Sequence, residues 1–157
     1  MQAWRLTRRP FADLSGSGGL YAAGRWHARG RPVLYTGLTP AVCLLEFLVN
    51  AELVPDLLPD DLVLLRLDVP ADMPLTRLDA ATLPPDWRSL DGRTACRAAG
   101  EAWLDGGETV GLLVPSAVLP QETNLILNPR HPRMAAVRIA AMEPFAFDSR
   151  LLRHGEH

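Results

Sequence analysis

Between Thr39 and Asn50 the chain carries a run that is apolar at almost every position and holds a single charge, Glu46. Thr39 followed by Pro40 is a strong helix start: the threonine hydroxyl can accept from a free backbone N–H, and the fixed φ of proline suits the first helical position. The spacing predicts a helix from there to about Ala51, ahead of Pro55. On a helical wheel Glu46 lies at the edge of the arc of Ala41, Leu45 and Leu48, while Cys43, Leu44 and Phe47 cover much of the other side. A helix apolar nearly all round is expected to be buried. Its carboxylate must then be paired, protonated or open to a cleft, because an unpartnered buried charge is costly. Two readings stay open for Glu46: a structural arginine partner, or a functional carboxylate.

The chain has 157 residues, enough for one domain that buries roughly two thirds of its unfolded surface. We take residues 1–150 as that domain and 151–157 as a frayed C-terminal tail. Its formal net charge of -2 argues against a broad nucleic-acid-binding face. All sixteen basic residues are arginine, so Schiff-base lysine chemistry and a Walker lysine are absent from the sequence. The segment Ser15–Gly19 is glycine-rich, but Tyr21 stands where a dinucleotide fingerprint starting at Gly16 needs its third glycine. The four histidines make no HExxH or related spacing, and Cys43 and Cys96 are far apart, so neither a metal site nor a disulfide framework is expected. With no signal-peptide h-region and no stretch long enough for a membrane span, the expectation is a cytoplasmic domain.

The remaining pattern reads as an α+β fold: a single domain with mixed or antiparallel strands and a few helices. Strands are expected at Ala3–Thr7, Pro32–Thr36, residues 61–69, near Leu75–Leu78, at Val110–Val114, Asn124–Leu127 and Val137–Phe147, the last interrupted by Pro144. A second helix is expected over Thr94–Asp105, stopped by Gly106-Gly107, and Pro84–Trp87 marks a bend.

Several polar residues ask for a place. Arg25 sits between Gly24 and Trp26, where a planar guanidinium fork suits phosphate or carboxylate, although alone it reads as a surface arginine in a turn. Arg5, flanked by Trp4 and Leu6, reads alone as solvent-exposed. Tyr35 ends an apolar strand just before the helix of Glu46, where its ring can pack while its hydroxyl finds a partner. Ser116 follows Val114-Pro115 at a strand end, Asn124 and Asn128 flank the next strand, and His131 between Arg130 and Pro132 reads as exposed. Cys43 is three residues from Glu46, but its apolar neighbours favour an inert buried thiol.

Taken in order, Trp4-Arg5-Leu6, Gly24-Arg25-Trp26, Val33-Leu34-Tyr35-Thr36, Leu44-Leu45-Glu46 and Val114-Pro115-Ser116 with Asn124-Leu125-Ile126-Leu127-Asn128-Pro129 resemble the RES-domain family over nearly the whole chain. His27 stands where asparagine is more often expected. The resemblance implies a fold similar to ADP-ribosylating toxins and a bacterial toxin of a toxin–antitoxin pair that consumes NAD+ as substrate, with no metal. It implies that Arg25, Glu46 and Ser116 serve catalysis and that Arg5, Tyr35 and Asn124 bind the dinucleotide. The partner it implies is an Xre-type helix-turn-helix antitoxin whose C-terminal part blocks the site.

Such residues suit cleavage of the nicotinamide–ribose bond, where a carboxylate steadies the developing oxocarbenium charge and arginines neutralise the pyrophosphate. The acceptor stays open between water, phosphate and a protein side chain. An ADP-ribosyltransferase, a nucleic-acid-directed toxin and a non-catalytic binding module are the alternatives.

Overall fold

The structure, a computed structural model, describes residues 1–50 and 58–152. Its strands are β1 (Gln2–Arg8), β2 (Leu34–Gly37), β3 (Leu62–Asp68), β4 (Leu75–Arg77), β5 (Gly111–Pro115), β6 (Thr123–Leu127) and β7 (Arg138–Pro144). Its helices are α1 (Gly18–Tyr21), α2 (Pro40–Asn50) and α3 (Arg93–Gly106), with short 3-10 turns between. Each strand and both longer helices fall where the hydrophobic periodicity places them. The helix end expected at Ala51 and the tail beyond residue 152 lie outside the described residues.

The seven strands form one sheet in the order β4-β5-β6-β2-β1-β3-β7. It is mixed, because β4 and β5 run parallel while the other neighbours pair antiparallel. Alternation along the strands splits the apolar residues between two faces. Leu113, Leu125 and Leu127 join Ala3, Leu34, Val63, Leu65 and Leu67 in one core. Leu112, Val114 and Ile126 turn the other way and pack with Trp26, Trp87, Cys96 and Leu104.

The pairing is uneven across the sheet. β1 and β3 keep register from Gln2↔Asp68 to Arg8↔Leu62, whereas β1 and β2 meet at one pair only, Trp4↔Gly37. Beyond that pair the two strands part, so Arg5 and Leu6 on β1 and Tyr35 and Thr36 on β2 are left without each other as ladder partners.

α2 lies over this seam, packed on β1 and β2. Its start is the expected one: Thr39 Oγ1 accepts from Val42 N at 3.2 Å and donates to Glu122 Oε2 at 2.9 Å. Gly37 allows the close seat, since a Cβ there would stand 2.4 Å from Val42 Cγ1 and 3.0 Å from Cys43 Sγ. The expectation of a fully buried helix does not hold. Only Val42 and Cys43 are buried, Leu44 through Leu48 are half-buried, and Ala41, Val49 and Asn50 are exposed. An all-apolar wheel says that a helix tolerates burial on any side but not which side a sheet covers.

α3 ends at Gly107, whose φ of 61° is the left-handed cap that glycine adopts without strain. The helix presses on the segment before β2 at Gly100, where a Cβ would lie 1.8 Å from the Trp26 carbonyl oxygen. Glu101 staples the same segment, accepting from Ala28 N at 2.7 Å and from Arg31 Nη1 at 2.8 Å. Among the described residues no helix is long and apolar enough to cross a membrane.

Gly100→Ala should therefore drive α3 away from Trp26. We expect a loss of about 1–3 kcal/mol, the usual cost of overpacking, read as a lower urea midpoint with an unchanged denaturant slope.

Candidate active site

Where β1 and β2 part, a cavity of about 800 Å³ opens beside α2. Its walls take Arg5 and Leu6 from β1, Tyr35 and Thr36 from β2, and Glu46 and Phe47 from α2. Arg5, Arg25, Tyr35, Glu46 and Asn124, scattered along the sequence, converge here, whereas Asn128 and His131 do not line the cavity.

Glu46 is the carboxylate of the described cavity wall, and its two oxygens are used differently. Oε1 accepts from Ser116 Oγ at 2.8 Å and from Asn124 Nδ2 at 2.7 Å. Oε2 has no hydrogen-bond partner among the described residues. No arginine pairs with Glu46 there, so the structural ion-pair reading is replaced by two neutral donors. Asn124 reaches it because β6 places it opposite both Gly37 of β2 and Val114 of β5. Ser116 is fully buried, and its hydroxyl also accepts from Val118 N and Leu119 N, each at 3.2 Å. The serine thus has one donor and two acceptor bonds committed and stands behind the carboxylate, outside the cavity wall, whereas Asn124 lines it.

Five arginines line the cavity: Arg5, Arg25, Arg88, Arg93 and Arg97. Glu46 is the one acidic residue of the same lining among the described residues. Arg25 donates through Nη1 to the carbonyls of Trp87 at 2.7 Å and Ser89 at 3.3 Å, and through Nη2 to that of Arg88 at 3.2 Å. Its fork is therefore largely occupied in holding the 87–89 bend. Arg88 in turn donates to the carbonyls of Ala117 and Val118, and Arg97 to that of Gly24.

Arg5 is different. It is half-buried rather than exposed, its Nε is shut off from solvent without a partner, and burial lowers its pKa. The Arg93 side chain, exposed at the first turn of α3, likewise makes no hydrogen bond or ion pair among the described residues. Arg88, Arg93 and Arg97 escaped the sequence reading. The signal was their spacing around the Pro84–Trp87 bend and the start of α3, which becomes informative only once Arg25 is seen to grip that bend.

Tyr35 lines the cavity, and its hydroxyl is committed to protein partners. It accepts from Trp26 N at 3.2 Å and sits 2.8 Å from His27 Nδ1, and burial raises its pKa well above the ordinary value. Cys43 is buried, with Sγ donating to the Trp4 carbonyl at 3.0 Å, and burial pushes its thiol up to about 11. The thiol form is thereby favoured, in keeping with its apolar neighbours.

Trp87 is buried against Trp26 with ring centroids 6.5 Å apart. Trp103 is half-buried and donates to Thr109 Oγ1 at 2.9 Å. His131 is half-buried rather than exposed and caps a 3-10 turn by accepting from Arg133 N. Asn128 holds its loop by accepting from Arg130 N at 3.0 Å. Among the described residues no group of three or more His, Cys, Asp or Glu side chains is placed to hold a metal ion.

Comparison with known proteins agrees with this architecture. A family model described as the RES domain matches residues 2–148. The chain is 41% identical over 151 residues to a protein named Toxin Res of Pseudomonas putida, covering 96% of this chain and 99% of that one. It is 36% identical to a Toxin Res of Photorhabdus laumondii, over 98% of each. It is 33% identical to a Sphingobium protein named Prs ADP-ribosylating toxin, covering 90% of this chain and 88% of the other. In fold it is similar to a chain of the M. tuberculosis MbcT–MbcA toxin–antitoxin complex, with a TM-score of 0.74 at 22% identity, covering 92% of this chain and 83% of that one.

The donation from Asn124 to Glu46 has a measurable consequence. In Asn124→Asp two carboxylates would meet at 2.7 Å in place of the amide bond, and like charges raise the pKa of one of them. A folded-state pKa above the unfolded value means stability lost as pH rises through it. A rise of about two pKa units costs about 2.7 kcal/mol. Relative to the wild type, Asn124→Asp should be least stable near pH 8 and recover much of the deficit toward about pH 5, as read by urea unfolding across that range.

Proposed function

The chain belongs to the RES domain family, and from that premise and the cavity around Glu46 we propose that it is the toxin of a bacterial toxin–antitoxin pair that binds NAD+ and cleaves its nicotinamide–ribose bond. The observation that carries the reading is the unequal carboxylate: Oε1 is held by Ser116 and Asn124, and Oε2 has no partner among the described residues, at a cavity wall rich in arginine. The volume, about 800 Å³, lies in the range of ligand-binding clefts.

NAD+ has the matching polarity. Its nicotinamide-bearing ribose develops positive charge as the ring leaves neutral, and its pyrophosphate carries two negative charges. Glu46 Oε2 would face the sugar, where a carboxylate fixed in advance stabilises the oxocarbenium ion without reorganising. Ser116 and Asn124 would serve it from behind and beside, holding the other oxygen. The guanidinium groups of Arg5 and Arg93, without side-chain partners among the described residues, would meet phosphate oxygens, and the remaining donors of Arg25 add to the same field. The Tyr35 ring offers an apolar wall for the base or ribose.

Water, inorganic phosphate or a protein side chain can each receive the ADP-ribosyl group. The relative named an ADP-ribosylating toxin favours keeping the last of these. The partner we propose is an Xre-type helix-turn-helix antitoxin that covers the cavity.

The test is incubation of the purified chain with NAD+ in water, with phosphate, and with cell protein, following nicotinamide release by chromatography. Release in at least one arm is expected, and intact NAD+ in all three overturns the reading. Glu46→Gln should fold like the wild type and lower kcat at least about a hundredfold. Arg93→Gln should instead raise KM with kcat nearly unchanged, because a phosphate contact at the cavity mouth binds ground and transition states alike. Relief of growth inhibition by Glu46→Gln, but not by Trp103→Phe, would tie the chemistry to toxicity.

A further inference from the structure

His27 is 3% exposed and both of its ring nitrogens are engaged. Nε2 lies 3.0 Å from the carbonyl oxygen of Ala22, which can only accept, so Nε2 carries the proton. Nδ1 is then the acceptor in the neutral ring, and the Tyr35 hydroxyl, 2.8 Å away, donates to it. That hydroxyl simultaneously accepts from Trp26 N at 3.2 Å. The chain from Ala22 through the imidazole to Tyr35 and Trp26 thus has one direction, and every group in it has a defined role.

The same residues close the turn that carries Arg25. Gly24 N donates to the His27 carbonyl at 3.1 Å. Gly24 is wedged so tightly that a Cβ would stand 2.4 Å from the Tyr35 hydroxyl and 2.9 Å from the His27 ring. Arg97 holds the Gly24 carbonyl from α3, and Arg25 reaches out of the turn to the 87–89 bend.

We infer that His27, neutral and protonated at Nε2, is a positioning residue for the proposed NAD+ cleavage: by accepting from Tyr35 through Nδ1 it fixes the Tyr35 ring and the Gly24–His27 turn against the cavity. This rests on the functional reading above. Protonation at Nδ1 removes the acceptor. The Tyr35 O–H must then turn away from the imidazolium, although its oxygen already accepts from Trp26 N. The charged groups around the ring are Glu101 and Arg97 from α3, with Tyr35 on β2; desolvation is the largest influence and favours the neutral form.

Two substitutions separate the ring's two contacts. In His27→Asn the side-chain oxygen falls near the place of Nδ1 and can accept from Tyr35 but does not reach Ala22. In His27→Gln the amide extends to the place of Nε2 and can donate to Ala22 but leaves Tyr35 without its acceptor.

The experiment is a kcat and KM profile against pH on NAD+ for the wild type and both variants, with folding checked by near-UV circular dichroism and the imidazole tautomer read by ¹⁵N NMR. Expected are an Nε2–H tautomer near neutral pH and a wild-type kcat that falls on the acid side while the fold persists. His27→Asn should keep kcat within about threefold and lose that acid limb. His27→Gln should lose kcat about tenfold or more, close to the weight of one neutral hydrogen bond. An Nδ1–H tautomer, or variants with equal kcat, or an active His27→Gln beside an inactive His27→Asn, overturns the inference. A wild type that leaves NAD+ intact overturns the reading beneath it, an outcome distinct from active enzymes whose variants behave alike.

Discussion

The hydrogen bonds from Ser116 and Asn124 to one oxygen of Glu46 tie together parts of the chain that sequence keeps far apart. A helix residue, the residue after β5 and a residue of β6 meet at Oε1 at 2.7 to 2.8 Å. Each donor is neutral, so the bonds orient the carboxylate without cancelling its charge. An arginine partner would have done the opposite, spending the charge on a structural pair. The cavity keeps its positive groups elsewhere, many of them gripping backbone carbonyls rather than side-chain carboxylates.

That distribution gives the site its rigidity. Arg25 holds the 87–89 bend, Arg88 holds 117–118 beside Ser116, and Arg97 holds Gly24. Guanidinium groups bonded to carbonyls keep their full charge while fixing loops, so one residue type supplies both scaffold and electrostatic field. The lack of lysine in the sequence fits this use, since an ammonium has no planar fork to bridge successive carbonyls.

Much of the fold was legible because local rules dominate it. The cap at Thr39, the left-handed Gly107 and the period-2 apolar alternation each declared an element before any tertiary contact was known. Glu46 and Arg25 were legible as oddities for similar reasons. What escaped was long-range: the partners of Glu46, the burial of Trp87 and the side of α2 that the sheet covers. Arg5 was misplaced when taken alone because alternation along β1 carries no sign that its neighbour β2 departs after one residue pair. Arg93 was passed over because an arginine whose side chain has no partner among the described residues has no local signature.

The close seat of α2 beside the cavity owes its dimensions to an omission. At Gly37 no methyl group stands between strand and helix, and α2 settles onto the backbone itself, against Val42 and Cys43. Any larger side chain would act as a spacer, lifting the helix and retracting Glu46 from its two donors together. The reach of the acid into the cleft is therefore metered by a hydrogen atom, and the tolerance at this position is narrower than at the arginines, whose long stems can adjust.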